Sequence, residues 1–227
     1  MKIKTLITTV LFCIVSITVS ITVSVTASAS EVQLCHVANA GFLVKGKQAS
    51  VVLDAMTERD DYKGDWVIPG EQTRTTLLND WTIRASLITH SHGDHFGGVL
   101  GVLTPEEKAN VQVIAPEGFM DESTSENLLA GPTMVRRLAY MYGLNLARSE
   151  RGHIDTGLGK EPGFGTMGIL MPTDIISQTP QAMTADGVEF VFHNAPATEA
   201  PAELMFYLPK LKAFCGSEVT SRNMHNL

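Results

Sequence analysis

Residues 89–98 read THSHGDHFGG and place three histidines and one aspartate within six consecutive positions. They follow an apolar run, residues 83–88, which is typical of a strand buried in a sheet. A buried core has little use for four titratable side chains packed so closely, whereas imidazole and carboxylate groups are common metal ligands. The stretch therefore predicts a metal site at the end of a buried strand.

The spacing inside this stretch predicts that the four side chains form two pairs on different sides of the site. His90 and His92 lie two positions apart, so in extended backbone their side chains face the same way. Gly93 then frees the chain to turn back before Asp94 and His95. Such nitrogen and oxygen donors suit zinc, or less exclusively iron and manganese, and two metals about 3.5–4 Å apart share a hydroxide in known two-metal sites. The alternative is a turn whose polar side chains are hydrogen-bonded within the protein and bind no metal. The crowding of four titratable groups disfavours this alternative.

The composition bounds the class of protein. The 227 residues carry a formal net charge of −7, with 44% hydrophobic and 18% charged side chains. This is the composition of a globular protein with enough apolar side chains for a core. It argues against a nucleic acid partner, because no basic stripe is available to neutralise phosphates.

The first thirty residues have the pattern of an export signal. A basic start precedes residues 5–30, which carry no charge, and the small residues that end at Ala29 form a cleavage site. We therefore predict a signal peptide over residues 1–29 and a mature domain over residues 30–227. The mature protein is expected to be periplasmic or secreted, without stable membrane association after cleavage. An uncleaved anchor is the alternative, since the uncharged run is long enough to span a bilayer.

Strand, loop and helix signals alternate along the rest of the chain and predict an α/β layered fold. Residues 31–54 have the pattern of a β-meander with turn glycines. Residues 98–110 predict a helix that Pro105 breaks or restarts, and residues 134–142 have helical spacing. Residues 143–172 are too rich in glycine for regular elements and predict a long loop. Further strands are predicted within three segments: residues 111–116, 186–196 and 202–218.

The histidine stretch HSHGDHFGG resembles the signature of the metallo-β-lactamase fold, where it follows a core strand of an αβ/βα sandwich. The sequence that follows it resembles the bacterial alkyl sulfatase branch of that superfamily, and this resemblance covers residues 89–227. Residues 31–88 resemble a different exported branch instead. Three segments and the closing MHNL carry the sulfatase likeness: IAPEGFMDESTSENLLAGPTMVRRLAYMYG, GLGKEPGFGTMGILMPTDII and TEAPAELMFYLPKLKAFCGSE.

The resemblance implies the rest of the first metal's ligands. In the alkyl sulfatase branch two glutamates take part in metal binding, and they match Glu199 and Glu218. By this likeness Glu199 joins His90 and His92 on the first metal, while Glu218 bridges both metals. The local sequence is consistent with this assignment. Glu199 lies in a proline-rich turn and Glu218 at the end of a predicted strand, and acids at such positions are well placed to face one site.

The resemblance also implies a second metal and a sulfate contact. Asp94 and His95 would hold the second metal, and Asp94 is also the candidate catalytic residue. Asn226 matches the family's sulfate-contacting asparagine. The family continues beyond the position of Leu227 with a substrate-binding arginine, a last metal-ligand histidine and a dimerisation domain. We therefore expect a C-terminally incomplete sandwich whose second zinc lacks one protein ligand.

Three functions remain open on this basis. The first is a zinc-dependent hydrolase with two zinc ions per site, which acts on a small-molecule alkyl sulfate ester by a metal-activated water. The second keeps the fold and changes the substrate to a lactone, a β-lactam or a phosphoester. The third is an inactive, truncated product.

Other notable side chains are expected outside the site. His36 and His193 lie in predicted strands, and His225 occupies a family position that is not a ligand. His153 lies in the predicted long loop and is expected to be solvated. The aromatic and methionine residues of 134–142 are expected to pack in the core, and the alternative is that they line a pocket for an alkyl chain.

Overall fold

The computed structural model describes residues 27–29, 32–38, 41–45, 50–53, 82–154 and 167–220. Within the first four ranges, side chains are described for Val44 and Val51. Most of the predicted signal peptide, the side chain of His36, and both His225 and Asn226 lie outside the described residues.

Seven strands form the larger sheet in their order along the chain. The first four pair antiparallel: β1 (Ala27–Ala29), β2 (Val32–Ala38), β3 (Gly41–Lys45) and β4 (Ser50–Leu53). The next three continue the sheet in parallel: β5 (Ile83–Leu87), β6 (Gln112–Pro116) and β7 (Asp174–Ile176). The predicted meander is confirmed as β2–β4. β1 falls within the residues assigned to the signal peptide, and sequence analysis missed both β1 and β7.

The described helices lie between β5 and β7. They are α1 (Gly93–Phe96), α2 (Val99–Val102), α3 (Pro105–Asn110), α4 (Phe119–Thr124), a π-helical turn (Ser125–Leu129) and α5 (Gly131–Met141). None of them is long and apolar enough to cross a membrane.

The helix predicted over residues 98–110, with a break or restart at Pro105, is confirmed as the two helices α2 and α3. Thr104 has extended backbone because a proline follows it, and it therefore caps α3 instead of continuing α2. Its hydroxyl accepts the N–H of Glu107 at 3.2 Å, and its own N–H donates to Oε2 of Glu107 at 2.9 Å. This reciprocal pair satisfies two backbone donors at the start of the helix.

Four antiparallel strands form the smaller sheet, in the order β11-β10-β9-β8. They are β8 (Gln181–Ala185), β9 (Val188–Asn194), β10 (Leu204–Leu208) and β11 (Ala213–Cys215). The strands predicted in residues 186–196 and 202–218 are confirmed, and β8 was missed. Asp186 and Gly187 both have positive φ angles, 47° and 75°, as the tight turn between β8 and β9 requires.

Two apolar layers hold these elements together. One lies between the sheets and includes Leu87 and Ile114 of the larger sheet with Phe192 and Phe206 of the smaller one. The other lies between the larger sheet and the helices. Neighbouring residues of β6 alternate between the two layers, because side chains of a strand point to opposite faces. The predicted α/β layering is confirmed.

The prediction that residues 134–142 pack in the core is wrong for α5. No residue of this helix is buried, and Val135 and Tyr140 are 67% and 77% exposed. Leu128 and Leu129 of the π-helical turn are exposed as well. Helical spacing predicts an apolar stripe, but it does not say what covers that stripe.

The prediction that His153 is solvated is also wrong. Its side chain is buried, and its backbone N–H donates to the carbonyl of Ala147 at 3.0 Å. The chain reverses at Gly143, which has a φ of 64°. This reversal folds the loop back, so that the ring of His153 lies beside Gly143.

Candidate metal centre

The histidine stretch lies where the two sheets meet. Beyond β5, Thr89 accepts the N–H of Leu204 at 2.8 Å, and the N–H of Ser91 donates to Ala202 at 3.1 Å. His90 and Glu203 form an antiparallel bridge between these two bonds. The end of a core strand of the larger sheet is therefore fixed to the start of β10 in the smaller sheet.

Four of the predicted ligands converge beside this bridge. One ligand atom each from His90, His92, Glu199 and Glu218 lies within 4.8 Å of the other three. Nδ1 of His92 is 3.3 Å from Oε2 of Glu199 and 3.7 Å from Oε2 of Glu218. Nε2 of His90 is 3.4 Å from the same Glu218 oxygen. The fold thus brings together two imidazoles and two carboxylates that are far apart in the sequence.

The surroundings of His90 fit a metal ion. Its Nε2 is buried and makes no hydrogen bond of good geometry with the described residues, although it lies 3.4 Å from the carboxylate of Glu218. A cation between the two groups would satisfy both of them. Its Nδ1 lies 2.9 Å from the hydroxyl of Thr89 and 3.4 Å from that of Ser217. A metal-ligating histidine is commonly held in this way by its second nitrogen. The donor set of two nitrogens and two carboxylate oxygens suits zinc chemistry.

Asp94 and His95 face the other side of Glu218. Both lie in the short helix α1, and Nε2 of His95 is 3.7 Å from Oδ2 of Asp94 and 3.7 Å from Oε1 of Glu218. His95 is buried, whereas Asp94 is 59% exposed. Glu218 therefore directs one oxygen towards His90 and His92 and the other towards His95. Metal binding by Asp94 and His95 stays a prediction, and both residues lie outside the four-residue cluster.

The three imidazoles control the charge of Glu218. Burial acts to raise the pKa of this carboxyl group, but contact with His90, His92 and His95 outweighs burial and holds the pKa well below its usual range. Glu218 is therefore held as a carboxylate, which is the form that binds metal.

His92 is surrounded by carboxylates. Burial acts to lower its pKa, but Glu218 and the charges of Glu199, Glu126 and Asp94 outweigh burial and raise it. Glu126 belongs to the π-helical turn, and its Oε1 lies 3.8 Å from Nε2 of His92. The anionic surroundings favour a cation at this position.

Gly93 acts differently from the prediction. It starts α1 with helical backbone, so a special turn conformation is not what it provides. A Cβ at this position would collide with the side chain of Met167 and crowd Oδ1 of Asn127. The absence of a side chain instead lets these two neighbours pack against the histidine turn.

The residues that hold the candidate ligands in place were not among the predicted site residues. Thr89 and Ser217 contact His90, and Glu203 contacts the backbone of both ligand glutamates. The available signal for Glu203 was an acid between apolar residues at the start of a predicted strand, which indicates burial. Asn226, the predicted sulfate contact, lies outside the described residues.

The chain is similar to known alkyl sulfatases. It is 43% identical over 147 residues to the alkyl/aryl-sulfatase BDS1 of Saccharomyces cerevisiae (strain ATCC 204508 / S288c), a match that covers 64% of this chain and 23% of that protein. It is 40% identical over 144 residues to a linear primary-alkylsulfatase of Pseudomonas sp., covering 63% of this chain and 21% of that protein. The chain thus spans about a quarter of the length of these curated relatives. No protein-family profile matches the chain.

A solved structure supports the same likeness. The stereoselective inverting sec-alkylsulfatase Pisa1 from Pseudomonas sp. superposes with a TM-score of 0.65 at 28% identity, over 82% of this chain and 29% of that chain. The predicted resemblance to alkyl sulfatases is confirmed by these matches. The predicted metallo-β-lactamase-type fold is confirmed by the layered sheets together with the superposition.

Proposed function

We propose that this chain forms the metal centre of a zinc-dependent hydrolase that acts on alkyl sulfate esters. The observation that carries the proposal is the convergence of two histidines, His90 and His92, with two glutamates, Glu199 and Glu218. This is the ligand set that the resemblance to the alkyl sulfatase branch implied. The similarity to BDS1 and to the Pseudomonas alkylsulfatases supports the choice of substrate class.

The side chains of the centre have separate tasks in this proposal. Zinc in such a site lowers the pKa of a coordinated water towards neutrality and polarises the ester. His90 and His92 offer Nε2 and Nδ1 lone pairs, and Glu218 offers one oxygen to each side of the site. Asp94, which is exposed beside His95, is the proposed general base and would accept a proton from the attacking water.

Apolar side chains next to the centre support a substrate with an alkyl chain. Leu128 and Leu129 are 72% and 81% exposed and belong to the same π-helical turn as Glu126, which faces His92. Met167 packs against Gly93 and is about half exposed. Exposed apolar groups at the rim of a charged site suit a ligand with a charged head and an apolar tail.

Zinc-loaded protein should release sulfate from dodecyl sulfate, and a chelator should abolish the release. Parallel assays with a lactone, a β-lactam and a phosphomonoester test the alternative substrates, and His92→Ala is the matched control for contaminating activity. Turnover confined to one of the other substrates would overturn the proposed substrate class. Absence of turnover on every substrate by metal-loaded, monodisperse protein would overturn the hydrolase itself.

The proposal includes export and a small-molecule partner. The uncharged N-terminal stretch supports removal of residues 1–29 in the periplasm or on secretion. Intact-mass measurement of the protein from the periplasmic fraction of a bacterial host should show a chain that starts at Ser30. A full-length chain retained in the cytoplasm or the membrane fraction would contradict export.

A further inference from the structure

Glu203 is a fully buried acid whose side chain contacts two turns. Its Oε2 accepts the backbone N–H groups of Glu199 and Ala200, each at 3.0 Å. Its Oε1 accepts the backbone N–H of Glu218 at 3.2 Å. The hydroxyl of Thr198 lies 2.8 Å from Oε2, although the carbonyl of Ala195 at 2.7 Å competes for its proton. One carboxylate thus binds the backbone of both ligand glutamates.

The backbone of Glu203 is fixed to the third ligand-bearing segment. It forms the bridge to His90, flanked by the hydrogen bonds from Leu204 to Thr89 and from Ser91 to Ala202. Three segments that carry metal ligands, those of His90, Glu199 and Glu218, therefore meet at this single residue.

The two glutamate ligands need such support because neither lies in a strand. Glu199 belongs to the turn between β9 and β10, where Ala197 has a φ of 57°. Glu218 follows Ser217, which has a φ of 50°, in the turn after β11. Ligands on turns are positioned less accurately than ligands on strands unless neighbouring hydrogen bonds hold them.

We propose that Glu203 is a positioning residue, whose carboxylate fixes the turns of Glu199 and Glu218 so that both side chains reach the same metal ion as His90. The inference rests on the proposed metal centre and adds a residue that does not itself contact the metal. A carboxylate is required because both of its oxygens accept N–H groups. A glutamine offers one accepting oxygen, and its NH2 group would face the N–H of either Glu218 or the Glu199 turn.

Glu203→Gln tests this role, and Glu107→Gln is its matched control. Glu107 is also a buried glutamate that joins two segments. Its Oε1 accepts the N–H of Ile83 at 2.6 Å, and its Oε2 accepts the N–H of Thr104 at 2.9 Å. Ile83 begins β5, whereas His90 follows the other end of that strand, so the two acids lie roughly 20 Å apart. Both variants lose stability for the same chemical reason, but only one of them lies at the metal centre.

The measurements are zinc affinity by competition with a chelating dye and the visible spectrum of the cobalt-substituted protein. Glu203→Gln is expected to bind zinc about 10- to 100-fold more weakly than the wild type and to change the cobalt spectrum. Glu107→Gln is expected to lower the thermal midpoint and to leave both readouts unchanged. Should Glu203→Gln not fold, Glu203→Asp takes its place. It keeps the charge and both accepting oxygens, but its side chain is one methylene shorter, so it is expected to lose contact with one of the two turns and to weaken zinc binding.

Wild-type zinc affinity in the folded Glu203→Gln protein, or in Glu203→Asp where that variant is used, would overturn the positioning role and leave the metal centre standing. An equal loss of affinity in Glu107→Gln would also overturn it, because the effect would then follow stability alone. If the wild type itself binds no zinc, the proposed function fails and the positioning role fails with it.

Discussion

Nε2 of His90 lies 3.4 Å from Oε2 of Glu218, and both side chains are buried, at 0% and 8% exposure. The histidine follows the end of a strand in the larger sheet, and the glutamate follows the last strand of the smaller one. The pair therefore forms only when both sheets have packed against each other. Metal binding at this position is a property of the assembled sandwich rather than of the histidine stretch alone.

Replacement of His92 by alanine should remove the first metal and all hydrolysis. Nδ1 of His92 faces both Glu199 and Glu218, so its loss leaves two carboxylates and one imidazole around the ion. Zinc content and sulfate release measure the effect. His193→Ala is the control, since this histidine lies in β9 outside the cluster. Unchanged activity in His92→Ala would remove the metal-site assignment.

Glu218→Gln should loosen both metals together. The side chain directs its two oxygens to different histidines, and the neutral amide loses the charge that three imidazoles hold in place. Elemental analysis of the purified variant should show less zinc than the wild type. Glu189→Gln, an exposed acid on β9, should retain the wild-type content. Normal zinc content in Glu218→Gln would rule out the bridging position.

Zinc should stabilise the folded chain, and a chelator should reverse this effect. An ion that binds only the folded state adds about 2.7 kcal/mol to the unfolding free energy when it is present at about 100 times its dissociation constant. Thermal unfolding with excess zinc, and again after EDTA, measures the difference. The difference should be much smaller in His92→Ala, and an equal shift in that variant would indicate zinc binding elsewhere on the protein.

Thr104→Ala should lower stability without any effect on the metal. The variant loses the hydroxyl that caps α3 by accepting the N–H of Glu107, a change that costs about 1 kcal/mol. Chemical denaturation measures the loss, and zinc titration provides the comparison. Glu107 contacts the start of β5, whereas His90 follows the other end of that strand. A change in zinc affinity would therefore show an unexpected coupling between the helix cap and the metal centre.

Local patterns predicted the parts of the fold that depend on local sequence. The strand before the histidines, the meander of residues 31–54 and the strands β9–β11 follow from apolar runs and turn residues. The positions of β7 and β8 do not, because Asp174–Ile176 is very short and Gln181–Ala185 has no strong apolar alternation. The exposure of α5 could not be predicted either, since it depends on which other elements pack against the helix.

The candidate site divides in the same way. His90, His92, Asp94 and His95 were found from their spacing, which is a property of adjacent residues. Glu199 and Glu218 came from the family resemblance, because nothing local distinguishes them from surface acids. Glu203 came from the structure alone. Its role depends on hydrogen bonds to two turns, and the sequence does not show that these turns meet.

Elemental analysis of the purified chain after gel filtration measures its zinc, iron and manganese content and so shows whether the four-residue cluster holds a metal. We expect one tightly held zinc ion per folded chain, bound by His90, His92, Glu199 and Glu218. We expect a second ion only in excess zinc, since Asp94 is largely exposed. A monodisperse, folded chain that stays without bound metal after incubation with zinc would show that these four residues do not form a metal centre.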